Sequence, residues 1–156
     1  MKRIISDKLV KLVEDNADQI ARKWCNVVKS HAATPAYHSL SDRECLYQAE
    51  SIYRRLGHLV DYKTPKEELN QYLIGFAEKR LDESLPLSDV IYALILMRRH
   101  LWLFAEEEAM GEYDALGLHR ALEFNNRVIL IFDRAIHIAA QRYEKKVKSG
   151  IGVKVE

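Results

Sequence analysis

The sequence predicts an all-α fold, and three observations carry the prediction. Apolar residues recur at helical rather than alternating spacing along nearly the whole chain. Helix-start signals stand just before those periodic stretches. The 156 residues contain only three prolines and six glycines, which fall where such helices would begin or end. No convincing strand, internal repeat or low-complexity segment interrupts the pattern. The length fits one domain with a real core.

The first helix is expected from about Asp7 to Ser30, with Leu9, Val13, Ala17, Ile20, Trp24 and Val27 or Val28 as its apolar stripe. His31 to His38 breaks that period, and Pro35 disfavours helix at the residue before it. Ser41-Asp42-Arg43-Glu44 reads as a capping box, in which the serine hydroxyl and the glutamate carboxylate satisfy each other's backbone amides. The helix it opens carries Leu46, Ala49, Tyr53, Leu56 and Val60. Thr64-Pro65-Lys66-Glu67 opens a third, with proline at the first helical position, where a missing N–H costs nothing. Leu69, Tyr72, Leu73, Phe76 and Leu81 mark its apolar side.

A fourth helix starts near Pro86 or Ser88 and runs to about Ala109. Met110-Gly111-Glu112 forms the turn, and a last helix runs from Tyr113 to Lys148, with a possible break at Gly117. Residues 1–148 form the domain and 149–156 a frayed tail. The bundle thus has about five main helices, the last two long and antiparallel.

These two helices are apolar around most of their circumference, whereas a helix with one buried side keeps a polar back. Such a helix either lies at the centre of its domain or packs on a partner as well. Leaving one side in water would forgo several kcal/mol at about 25 cal/mol per Å². The favoured expectation is a homodimer, in which two hairpins form an intermolecular four-helix bundle. Its interface is assigned to Val90, Ile91, Leu94, Met97, Leu101 and Trp102 with Val128, Ile131, Phe132, Ala135 and Ile138. The alternative is a monomer whose shorter helices cover both sides.

Composition excludes some functions. Lys plus Arg number 24 against 23 for Asp plus Glu, so no basic excess argues for nucleic acid. No apolar run is long enough for a membrane span, and no signal peptide precedes the first helix, which predicts a cytoplasmic protein. Cys25 and Cys45 lack metal spacing and read as buried reduced thiols, with a disulfide or ligand pair as the sharper alternative.

The six histidines form no His-Glu-x-x-His and no repeated Glu-x-x-His, so no metal or cofactor is expected. His31 and His38 flank a loop near Cys25, and His119 and Glu123 stand four apart on one face. Glu106-Glu107-Glu108 reads as a solvated face. Arg98 and Arg99 call for a carboxylate from a neighbouring helix, or less readily a ligand anion. No nucleophile–base pair, phosphate loop or dinucleotide fingerprint points to an enzyme. Should an interior pocket exist, His58, Tyr92 and His100 are the candidates to line it, which defines a rival reading as a small-molecule- or metal-binding helical protein.

The chain resembles the RsbRD-type N-terminal sensor domains, the RsbT co-antagonist family of bacterial stress signalling. The resemblance lies in Leu12 to Trp24, in Pro35-Ala36-Tyr37, in Leu40 to Glu44, and most closely in Leu85-Pro86-Leu87-Ser88-Asp89-Val90-Ile91-Tyr92-Ala93-Leu94-Ile95-Leu96-Met97-Arg98-Arg99. It implies a globin-like, non-haem input module that pairs and passes conformational change to an output domain. This sequence ends at Glu156 without such a domain, so the resemblance implies action alone or through an output on another signalling protein. A haem would need a proximal histidine between Thr64 and Asp89, and that stretch has none.

Overall fold

The computed structural model describes residues 6–109 and 115–155, with the backbone alone for 109 and 150–155. The described residues contain seven α-helices and one 3₁₀ turn: α1 Asp7–Asp15, α2 Ala17–Val28, the turn Pro35–Tyr37, α3 Asp42–Arg54, α4 Leu56–Val60, α5 Lys66–Asp82, α6 Leu87–Ala109 and α7 Ala115–Val155. The expected turn at Met110-Gly111-Glu112 lies outside them.

Two expected helices are each divided. Asn16 closes α1: its side-chain amide donates to Leu12 O at 2.8 Å, and its own N–H reaches the same carbonyl at 3.1 Å. A short polar side chain that bonds the backbone locally competes with helix continuation. The second division falls at Arg55. There the amide of Gly57, in the first turn of α4, donates to Glu14 Oε2 at 2.8 Å. A side chain at Gly57 would bring its Cβ within 2.9 Å of that oxygen, so glycine admits the carboxylate that caps α4 from outside.

The Ser41 hydroxyl accepts from the amide of Glu44 at 3.2 Å, as the capping signal requires. Pro65 precedes α5 as its cap residue rather than occupying its first helical position, and the Thr64 hydroxyl donates to His58 O instead. Leu85 N–H bonds to Arg80 O and Ser84 N–H to Leu81 O where α5 ends, the Schellman arrangement. Ser84 takes the left-handed position there, with φ 59°. Helix α7 runs unbroken through Gly117 and on to Val155, past the expected end at Lys148. At 41 residues it is roughly 60 Å long.

Helix α6 is the central strut, packed on α7, α2 and α1. Two aromatic side chains anchor it through carbonyls one turn apart: Trp24 Nε1–H donates to Ala93 O at 2.9 Å, and the Tyr53 hydroxyl donates to Met97 O at 3.0 Å. Both rings are fully buried, so each polar tip needs the partner it finds. Tyr37 packs edge-on against Trp24, and Asp89 in the first turn of α6 accepts from Ala36 N–H at 2.9 Å. The Tyr143 hydroxyl donates to Leu85 O at 2.7 Å, and Arg98 pairs with Asp133 at 2.9 Å. The start of α6 therefore meets the later part of α7: the pair is antiparallel, as expected. No helix among the described residues is long and apolar enough to cross a membrane.

Candidate functional site

The wide apolar surface of α6 and α7 is mostly consumed inside one chain. Val90, Leu94, Met97, Leu101, Val128, Ile131, Phe132, Ala135 and Ile138, all assigned to a dimer interface, are buried in the chain's own core. That assignment is corrected. The two sides of α6 are filled by α7 and by α2 with α1, so its breadth reflects a central position. Ile91 and Trp102 are the two assigned residues that stay half-exposed.

They belong to a narrower row. Ile91, Ile95, Arg98 and Trp102 are spaced by four, three and four residues, and each is half-buried. On α7, Leu118, Leu122, Ile129, Ile136, Ala140 and Val147 follow spacings of four, seven, seven, four and seven. Such spacing keeps one stripe on one side of a helix. Leu118, Leu122 and Val147 are 61%, 49% and 60% exposed, and Ile129, Ile136 and Ala140 are half-buried. The Arg98–Asp133 ion pair joins the two helices here; Asp133 lies between the turns of Ile129 and Ile136. By the same antiparallel register, the turn of Trp102 stands beside that of Ile129 and the turn of Ile95 beside that of Ile136. The result is a two-helix apolar surface with an ion pair near its middle.

The pairing also answers the expectation for Arg98, which finds a carboxylate on a neighbouring helix. Glu106, Glu107 and Glu108 are exposed. The three histidine and tyrosine pocket candidates are dispersed. His58 is exposed and its Nε2 meets Glu68 Oε1 at 2.8 Å. Tyr92 packs against the His31 ring, with centroids 4.9 Å apart. His100 is half-buried, its Nδ1 hydrogen-bonded to Leu96 O at 2.8 Å, and burial lowers its pKa below the ordinary imidazole value. It borders a cavity of about 310 Å³ with Lys23, Phe104 and Glu107, a cavity that neither His58 nor Tyr92 lines.

Sequence spacing gave no sign that Cys25 on α2 and Cys45 on α3 would meet. Both are free and buried, and burial pushes both thiol pKa values up. Glu123 bonds Ser6, its Oε1 accepting from the Ser6 hydroxyl at 2.9 Å. No group of three or more His, Cys, Asp or Glu among the described residues is arranged to hold a metal ion. Compared with models of protein families, with curated proteins and with solved structures, the chain matches none.

Proposed function

We propose that this chain is a non-enzymatic signal-transduction domain, a cytoplasmic sensor or regulatory module that works by pairing with a second copy of itself. The observation that carries the reading is the half-buried and exposed apolar stripe on α6 and α7. A stripe at coiled-coil spacing on an antiparallel hairpin suits a second, identical hairpin, and the twofold arrangement would close a four-helix bundle. The RsbRD-like, globin-like resemblance points the same way, as does the length of α7. A change in how the hairpins pack would displace the end of α7 and present it differently to a signalling protein partner.

The test is light scattering during size-exclusion chromatography on the wild-type chain and on Ile129→Glu. The wild type is expected to be a dimer and the variant a monomer with unchanged helical circular dichroism. A monomeric wild type, or a variant that still pairs, overturns the reading.

A further inference from the structure

A second region of the molecule has the makings of a ligand site, between α3 and α5. A cavity of about 660 Å³ opens there, and a smaller one of about 300 Å³ continues along the same two helices. The two share Tyr47, Lys79 and Arg80, and Lys79 Nζ lies 4.6 Å from the Tyr47 ring centre between them. The larger volume suits a small organic molecule, whose sites typically measure roughly 300–1,000 Å³. Gly75 stands in the wall of the smaller cavity beside open space, where a Cβ would meet nothing within 4 Å.

The floor is polar and incomplete. Arg80 is only 2% exposed, and its Nε and Nη2 engage Glu83 Oε1 at 2.9 and 2.7 Å. Gln48, equally buried, donates from Nε2 to Glu83 Oε2 at 3.2 Å. Two buried atoms of this cluster have no hydrogen-bond partner among the described residues: Arg80 Nη1, a donor, and Gln48 Oε1, an acceptor. Leaving a buried donor unsatisfied is costly, and a bound acceptor would recover that cost at Arg80 Nη1.

Charge and shape narrow the ligand. Arg43, Arg55, Lys79 and Arg80 line the two cavities against only Glu44 and Glu83, and Glu83 is already engaged by Arg80 and Gln48. The surplus is cationic. Aromatic rings carry three of these cations: Lys79 on Tyr47, Arg80 on Phe76 and Arg55 on Tyr72. We propose that the groove binds a small aromatic carboxylate, its acid group accepting from Arg80 Nη1 with Lys79 and Arg43 alongside, and its ring lying against Tyr47. Charge-assisted hydrogen bonds from guanidinium to carboxylate are the strong kind, and the buried guanidinium is already held in place by Glu83.

Backbone amide NMR on the full chain tests this, with naphthoate and benzoate as probes and acetate and inorganic phosphate as controls. Naphthoate and benzoate are expected to give saturable shifts confined to residues 40–48 and 75–84, with the controls at least about tenfold weaker. Lys79→Met alters an exposed side chain and is expected to weaken naphthoate roughly tenfold, the usual size of one lost charge-assisted bond. Three results overturn the proposal: no saturation, phosphate binding as well as naphthoate (an adventitious anion on rim cations), or an unchanged affinity in Lys79→Met. The groove shares no residue with the α6–α7 stripe. A monomeric chain therefore leaves the ligand site standing, and a failed titration leaves the pairing standing.

Discussion

The guanidinium of Arg127 donates to the backbone carbonyl of Val60 twice, from Nε at 3.2 Å and from Nη2 at 3.1 Å, across more than sixty residues of sequence. Val60 is the last residue of α4, whose terminal carbonyls have no partner within the helix and carry its negative dipole end. The same side chain reaches Ser6 Oγ from Nη1 at 2.7 Å and lies 3.4 Å from Asp7 Oδ1. Arg127, itself 3% exposed, therefore fastens α7 to both α4 and the start of α1.

Arg127→Met keeps most of the volume and removes every one of these bonds. It leaves the Val60 carbonyl and the Ser6 hydroxyl without the guanidinium, at a cost of about 3 kcal/mol. Arg127→Lys keeps the charge but not the planar fork that spans both partners, so it is expected to lose roughly half as much. Urea midpoints of the two variants check the ordering. Equal midpoints for wild type and Arg127→Met would mean that the fastening contributes nothing.

Ser84 carries the one positive φ among the described non-glycine residues, and it does so in the left-handed position of the Schellman motif that ends α5. An L-residue there crowds its Cβ against the neighbouring carbonyl, by about 1–2 kcal/mol, and glycine does not. Glycine in turn adds freedom to the unfolded chain, worth about 0.4–1 kcal/mol. Ser84→Gly is therefore expected to stabilise by about 0.5–1 kcal/mol, seen as a higher melting temperature. A lower one would show that the serine contributes something its geometry does not reveal.

Helix-making signals that depend on neighbouring residues were legible in the sequence. The Ser41 cap, the extent of α6 and the antiparallel hairpin all follow from local periodicity and short-range chemistry. The breaks at Asn16 and Arg55 were not, because the apolar stripe continues across both; the Arg55 break is completed by Glu14, more than forty residues from the Gly57 amide it accepts. Apolar breadth was correctly read as two-sided burial, yet breadth cannot say whether the second side is covered by the same chain or another. The α3–α5 groove leaves little trace in the sequence because Gln48, Arg80 and Glu83 look individually like surface residues. One signal was present: Arg80 continues the phase of Leu69, Leu73 and Ala77, and a charge on a core phase marks a buried polar cluster.

High pH should open the fold through groups that it holds protonated. Burial pushes the hydroxyls of Tyr37, Tyr53 and Tyr72 up from their ordinary value, takes Tyr143 to about 12, and raises the Cys25 and Cys45 thiols. The unfolded chain releases these protons at ordinary values, 9.0 for the thiols and 10.0 for the phenols. Above about pH 9 the folded state therefore holds more protons than the unfolded one, and stability falls as pH rises, by about 1.4 kcal/mol per pH unit for each proton in excess. Below pH 9 this contribution is complete. Tyrosinate absorbance followed alongside circular dichroism should show Tyr37, Tyr53 and Tyr143 ionising only as helicity is lost. Tyr53→Phe should remove part of that late step, and thiol labelling should become fast in the same pH range. Full ionisation of all eight tyrosines while the helices remain intact would contradict the buried arrangement of these hydroxyls.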